Sequence, residues 1–178
     1  MNIFVTNPDP HVSAKVLPDK HVVKMPLETC QMLSIVCSDK WGHGYGQLHR
    51  INGEPYKTEK GAFRNHPCTQ WAAASLYNTA WLIQHGCALS DEYSHRYGKI
   101  HGCANALFEA KKTFHKFAGE VITCYCMVES FTRAMPDEYK HDTSIDTFTA
   151  YKNYIRSKPW AASNYLRDPS RQPDWIKM

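Results

Sequence analysis

The chain has 178 residues, of which 43% are hydrophobic and 21% are charged, and its formal net charge is +4. A chain of this length can bury its core as one domain, so we expect a single domain over residues 1–178. The composition is that of a soluble globular protein, and no apolar run reaches the roughly 20 residues that a membrane-spanning helix needs. The mildly basic charge permits an anionic partner without requiring one.

The first residues lack the basic start and apolar stretch of a signal peptide, so we expect the protein in the cytoplasm, or in the host cytoplasm if it is viral. The seven cysteines include no CxxC pair, which favours reduced thiols. The histidines do not combine with cysteines at zinc spacing. We therefore predict no metal site and no cofactor.

The most informative pattern runs from Asp19 to Leu33, where a helix would separate two kinds of side chain. At about 100° per residue, one arc is polar and the other apolar. The polar arc holds Lys20, His21, Lys24, Glu28 and Gln31, and the apolar arc holds Val22, Val23, Leu27, Cys30, Leu33 and Cys37. Asp19 is the predicted N-cap, and Pro26 should kink the helix beside Glu28.

Two interpretations of the polar arc remain open. It can be a solvated surface with a Lys24–Glu28 pair at i,i+4 spacing, which contributes about 0.2–0.5 kcal/mol. It can also be an acid/base carboxylate among cations, completed by groups from elsewhere in the chain.

The remaining segments predict a mainly α-helical single-domain bundle with a short N-terminal strand over residues 3–6 and a small β-hairpin. The hairpin lies in a loop insertion over about residues 38–66, with its turn at Asn52-Gly53. Further helices are expected over residues 67–97, 100–118 and 142–157, and a short helical turn over residues 11–17. Residues 121–131 fit a helix or a buried strand, and we favour the helix. An irregular aromatic tail, about residues 158–178, should lie against the helices or a partner.

Individual aromatic residues carry further expectations. Trp71 and Trp81 are predicted core residues, with a ligand platform as the alternative. In the helix over residues 100–118 we expect an inward face of Ala104, Leu107, Phe108, Phe114 and Phe117. The loop before Pro67 mixes cations and aromatics that suit phosphate and base contacts, although a solvated hairpin is the alternative. These residues are Tyr56, Lys57, Lys60, Phe63, Arg64 and His66.

Two blocks of the sequence resemble a known family. His21 followed by Glu28 after a short N-terminal strand resembles the first helix of pyrimidine-dimer DNA glycosylases of the endonuclease V type. Asn65-His66-Pro67 followed by Trp71 resembles a second block in bacterial and viral relatives of that family. The resemblance covers about residues 1–100. The chain also resembles a set of uncharacterised phage proteins through residues 19–25, 65–68, 96–99 and 135–140.

The resemblance implies a helical protein that binds damaged double-stranded DNA. In the family, the α-amine at the chain start attacks the sugar C1′, and the first-helix glutamate supports glycosidic cleavage and the later elimination. Carried to this sequence, Glu28 matches that glutamate and His21 the nearby histidine. An α-amine is less basic than a lysine amine, so more of it is neutral at physiological pH and able to form an imine.

One departure from the family leaves three alternatives. The family's amine belongs to a small second residue exposed by methionine removal, whereas Asn2 is large enough to prevent that removal. Met1 can therefore supply the amine, a lysine such as Lys24 can replace it, or the reaction can be absent.

Three functions follow from these residues. The first is a DNA glycosylase with AP lyase activity on damaged or modified pyrimidines, with Glu28, Met1 and His21 catalytic. The second is a non-catalytic nucleic-acid-binding protein of the same fold. The third is a phage enzyme that modifies a DNA base or nucleotide and uses Glu28 and His66 as acid and base on a flipped base. For all three we expect a monomer with no membrane partner and DNA contacts from Lys20, Lys24, Tyr56, Lys57, Arg64, Asn65 and His66.

Overall fold

The structure, a computed structural model, describes residues 1–177. Over that range it is mainly helical, as the sequence predicts. Its α-helices, in chain order from α1 to α7, are Pro10–Lys15, Asp19–Val36, Pro67–Ala74, Leu76–Tyr97, Ala104–Ala118, Asp137–Lys140 and Thr147–Arg156. None of the helices within residues 1–177 combines the length and the apolar character needed to cross a membrane.

The core forms where α2 packs against α4. The two helices approach so closely at Gly86 that an added Cβ would lie 2.6 Å from Cγ2 of Thr29 and 2.7 Å from Cδ2 of Leu107 on α5. Trp81 is completely buried and Trp71 nearly so. Their indole nitrogens donate to the backbone carbonyls of Pro8 and Ser130, so both are core residues, as predicted.

The helix that the sequence pattern singles out is present as α2, and it contains Pro26. Its N-cap is Pro18 rather than the predicted Asp19, because the Asp19 carboxylate accepts a hydrogen bond from the buried Arg96 side chain. The predicted apolar arc is also partly wrong. Val23 and Leu27 are exposed, whereas the polar His21 and Glu28 are buried.

The predicted N-terminal strand does not form. The Asn2 side-chain oxygen accepts hydrogen bonds from the backbone nitrogens of Ile3 at 2.8 Å and Phe4 at 3.1 Å. Phe4 has a φ of 40°, and such a left-handed residue cannot continue an extended strand. Residues 1–6 therefore bend across α2 and cover the side of this helix that carries His21 and Glu28.

The predicted β-hairpin is wrong as well. One isolated bridge pairs His49 with Pro55, and residues 38–66 contain no strand. The turn at Asn52-Gly53 is present, with Gly53 at a φ of 80°. Two backbone hydrogen bonds close this bridge, from the Arg50 nitrogen to the Glu54 carbonyl and from the Tyr56 nitrogen to the Leu48 carbonyl.

Two predicted helices are shorter than expected. The helix over residues 67–97 is divided at Ser75, whose backbone is extended and whose hydroxyl accepts a hydrogen bond from the Asn78 nitrogen. The end of α4 at Gly98, in the left-handed conformation, agrees with the prediction. The predicted helix over residues 121–131 is instead a pair of 3-10 turns, Gly119–Thr123 and Tyr125–Met127, followed by irregular chain.

The inward face predicted for α5 is correct for Leu107 and Phe114 and wrong for Phe108 and Phe117. Phe108 is 66% exposed and Phe117 is 63% exposed. The helix starts at Ala104, with Cys103 as its N-cap, rather than at residue 100.

The aromatic tail lies against the helices, as predicted. Its Tyr165 hydroxyl donates to the Val16 carbonyl at 2.7 Å, and Arg171 donates to the Glu92 carboxylate at 2.7 Å. The backbone nitrogen of Lys20 at the start of α2 donates to the side chain of Asn164 in the tail. These contacts bring residues 158–165 beside the first turn of α2.

Candidate active site

A cavity of about 350 Å³ lies between the first residues of the chain, α2, α7 and the tail. Its wall contains an amine, a carboxylate, an imidazole, three lysines and three aromatic rings. The lining residues are Met1, Asn2, Phe4, Lys20, His21, Lys24, Met25, Glu28, Tyr154, Lys158 and Trp160.

The Glu28 carboxylate lies between two nitrogen cations. The Met1 amine is 3.8 Å from Oε2 of Glu28, and the Lys24 amine is 3.2 Å from Oε1. The Glu28 side chain is 11% exposed and the Lys24 side chain 70%, so the lysine approaches from solvent. Lys24 and Glu28 are one helical turn apart on α2, so their side chains meet on the same side of the helix.

Asn2 fixes the position of Met1. Besides accepting from the nitrogens of Ile3 and Phe4, its amide donates to the carbonyl of Ala134 at 2.6 Å. The large residue that departs from the family pattern is thus a buried anchor that holds the Met1 amine near Glu28.

His21 forms an aromatic wall of the cavity. Its ring stacks on Phe4 at 4.0 Å between centroids and meets Trp160 edge-on at 5.4 Å. Burial, aided by the charges of Lys158 and Lys24, lowers the His21 pKa to about 3. The imidazole is therefore neutral at physiological pH, and its buried Nδ1 has no hydrogen-bond partner among residues 1–177.

His66 lies close to the same charges although it does not line the cavity. Its Nδ1 accepts a hydrogen bond from the Cys68 nitrogen and caps α3. Burial lowers the His66 pKa, and the Met1 amine lowers it further, whereas Glu28 opposes the shift. The net effect favours the uncharged form of the His66 imidazole.

Four residues predicted to bind nucleic acid lie away from this cavity. Tyr56 is buried, with its hydroxyl 3.9 Å from Sγ of Cys103, so it cannot be an open stacking platform. Lys57 lines a different cavity, and the Arg64 guanidinium lies over the ring of Trp41. Asn65 is exposed and is not part of the wall. Lys20 and Lys24 do line the cavity.

Three wall residues from the second half of the chain were not predicted: Tyr154 from α7, and Lys158 and Trp160 from the tail. The Lys158 amine lies 4.0 Å from the Tyr154 ring centroid, and the Lys20 amine lies 4.6 Å from that of Trp160. The sequence offers one indication of this surface, the adjacent cation and aromatic ring in Lys158-Pro159-Trp160. Periodicity, however, does not indicate which helix a tail packs against.

The cavity brings an amine and a carboxylate together inside a rim of lysines and aromatic rings. In general, an amine beside a carboxylate can form an imine with proton transfer to and from the carboxylate. Lysines and aromatic rings are also the side chains that contact phosphates and nucleobases in DNA-binding proteins.

Comparison with protein families gives one match. The model of the pyrimidine dimer DNA glycosylase family matches residues 1–105, a range that contains Met1, His21, Lys24, Glu28 and His66. Neither the curated proteins nor the solved structures contain a match to the chain. The wall formed by Tyr154, Lys158 and Trp160 lies outside the matched residues.

Proposed function

The chain belongs to the pyrimidine dimer DNA glycosylase family, and on that premise we propose that it removes damaged or modified pyrimidines from duplex DNA through an imine on the Met1 amine. We further propose that Glu28 is the acid/base and that the enzyme has AP lyase activity. The observation that carries the proposal is the 3.8 Å separation between the Met1 nitrogen and Oε2 of Glu28. That distance is an ion-pair contact slightly longer than a hydrogen bond, and catalytic contacts of this kind tighten when the substrate binds.

The chemistry follows from this pair. The neutral amine attacks C1′ of the damaged nucleotide, a nitrogen–carbon bond forms, and the glycosidic bond to the base breaks. Opening of the sugar ring then gives a protonated imine. The departing base takes up a proton from water. Glu28 accepts the proton that the amine loses after attack and returns it to the ring oxygen as the sugar opens, so it is a carboxylate again, and it stabilises the positive charge that develops at the sugar.

The lyase step needs one further proton transfer. The imine acidifies the hydrogens on C2′, and Glu28 is the base that removes one of them. The electron pair moves to form the C2′–C3′ double bond, and the 3′ phosphate leaves. Glu28 lies between Lys24 and the Met1 nitrogen, which is now part of the imine. In this position its carboxylate can act as the proton acceptor in both steps.

The Met1 amine is a better candidate for the nucleophile than Lys24. The Met1 side chain is 3% exposed, whereas that of Lys24 is 70% exposed. Asn2 holds the amine at the cavity wall, while most of the lysine side chain is exposed to water. Lys20, Lys24 and Lys158 instead suit the DNA phosphates around the opening.

The test is reductive trapping. An ultraviolet-irradiated duplex is incubated with the protein and borohydride, and the adduct is digested with trypsin. We expect the adduct on the peptide of residues 1–15, which carries Met1. An adduct on a peptide spanning residues 21–40 would instead identify Lys24 as the nucleophile. Intact mass establishes in the same sample that Met1 is present.

The matched control is Glu28→Gln, which keeps the shape of the side chain and removes its charge. A general acid/base contributes about 10²–10⁴-fold in rate, so this variant should bind DNA and form adduct slower by that factor. Salt-dependent DNA binding without adduct or strand cleavage would overturn the enzyme proposal in favour of a non-catalytic DNA-binding role.

A further inference from the structure

A second cavity, of about 540 Å³, lies farther along α2, beside Gln31 and Ser34, and has a cysteine in its wall. Cys103 lines it together with the cationic side chains of Arg50 and Lys57. Two more reactive groups adjoin this cysteine. Cys30 on α2 places its Sγ 3.9 Å from the Cys103 carbonyl oxygen, and the Tyr56 hydroxyl lies 3.9 Å from Sγ of Cys103.

The backbone around Cys103 is held in place. His101 accepts a hydrogen bond from the Cys103 nitrogen at 3.0 Å, and its other ring nitrogen donates to the Val23 carbonyl at 3.0 Å. Cys103 is also the N-cap residue of the 15-residue helix α5. Its thiol therefore lies at the positive end of a helix dipole, where a thiolate is favoured.

The two thiols differ in acidity. The neighbouring Cys30, supported by His101 and Tyr56, lowers the Cys103 pKa although burial opposes the shift. The proximity of Cys103, together with burial, raises the pKa of Cys30. Of the two, Cys103 is therefore the more acidic thiol. Burial raises the pKa of Cys37 and of Cys68 to about 12, so those two remain inert.

We propose that Cys103 and Cys30 form a peroxide-reactive dithiol site, in which Cys103 is the nucleophile and Cys30 resolves the product as a disulfide. The Cys103 thiolate attacks one oxygen of a hydroperoxide. A sulfur–oxygen bond forms, the oxygen–oxygen bond breaks, and the leaving hydroxide or alkoxide takes up a proton. Cys103 is then a sulfenic acid.

The second step consumes that intermediate. Sulfur of Cys30 attacks sulfur of Cys103, the sulfur–sulfur bond forms, and the sulfur–oxygen bond breaks with release of water. In sum, two thiols are oxidised to one disulfide and one hydroperoxide is reduced to water and an alcohol, or to two waters from hydrogen peroxide. This activity is separate from the proposed DNA chemistry, because Cys103 lines a different cavity from the Met1 amine.

The experiment uses the reduced full-length protein, treated with hydrogen peroxide, blocked with an alkylating agent and digested with trypsin. We expect a disulfide that links the peptide of residues 25–40 to the peptide of residues 100–111, with Cys37 alkylated. Cys103→Ser should abolish this link. Cys30→Ser should leave a sulfenic acid on Cys103 that dimedone traps.

Cys126 is the internal reference, because it is exposed. We expect Cys103 to be oxidised at a lower peroxide concentration than Cys126. If the cysteines are oxidised in order of their solvent exposure, with Cys126 first and without formation of linked peptides, the proposal is overturned. A linked pair that forms equally well in urea-unfolded protein would overturn it too, since the folded arrangement would then contribute nothing.

Discussion

Replacing Arg96 with methionine should be among the most destabilising single changes in the protein. The Arg96 side chain is completely buried and donates to the carboxylates of Asp19 and Glu92, at 3.0 and 2.8 Å. It also donates to the carbonyls of Lys15 and Leu17. Methionine fills similar volume but leaves all of these acceptors without their donor.

The two carboxylates determine the magnitude. Their side chains are 7% and 5% exposed. Glu92 keeps its contact with Arg171, whereas Asp19 keeps only the Arg167 backbone nitrogen. Removing one partner of a buried ion pair costs about 3–5 kcal/mol. For a chain of this length that corresponds to a fall in Tm of about 6–20 °C.

Urea unfolding followed by circular dichroism measures the change, and an unchanged m-value shows that the same structure unfolds. The matched control is Arg156→Met, because Arg156 is exposed and its side chain donates to Asn153; we expect a change within about 0.5 kcal/mol. If the two variants unfold at the same urea concentration, the buried network does not stabilise the fold and our reasoning is refuted.

Three further predictions concern the cavity and the core. Burial lowers the His21 pKa to about 3, so between about pH 6.5 and 3 the unfolded chain binds a proton at His21 that the folded chain does not. The free energy of unfolding should therefore be highest above pH 6.5 and fall as the pH is lowered through that window. Urea unfolding at several pH values measures this fall, and His21→Gln should make it smaller. Trp160→Ala should weaken binding of damaged DNA by about 5–150-fold, the equivalent of one lost stacking contact of about 1–3 kcal/mol, whereas Trp160→Phe should retain most of the affinity in fluorescence anisotropy. Gly86→Ala should cost about 1–3 kcal/mol through overpacking, while Gly102→Ala, with nothing within 4 Å of the new Cβ, should not reproduce that loss in thermal unfolding.

Local signals predicted the elements that depend on local structure. Pro67 at the start of α3 and Gly98 after α4 are helix boundaries that neighbouring residues decide, and both lie where the sequence indicates. The periodicity of α2 was sufficient to bring Lys20, Lys24 and Glu28 to one side of a helix. Together with the family resemblance, this pointed to Glu28 and left Met1 and Lys24 as alternatives for its amine partner.

Elements that depend on distant contacts were not predictable in this way. The strand over residues 3–6 fails because Asn2 is anchored to Ala134, and that partner lies 132 positions away. Phe108 and Phe117 fit an inward stripe by spacing, but α5 turns those positions to solvent. Tyr56 has the aromatic ring that base stacking needs, but in the fold it is buried against Cys103.

The same limitation applies to the candidate site. Its amine, carboxylate and imidazole come from the first 28 residues, whereas Tyr154, Lys158 and Trp160 arrive by docking of α7 and the tail. A pattern within one segment cannot report a surface formed by two segments. The tail residues could be predicted as packed, but not against which helix.

The hydrogen bond from Lys20 to Asn164 spans 144 positions of the chain, and it joins the two halves of the cavity wall. Contacts of such long range form late in folding, because the entropy of closing a large loop must be overcome first. A protease cut near residue 158 would release one half of that wall, so it should abolish the proposed chemistry while leaving most of the helix content intact.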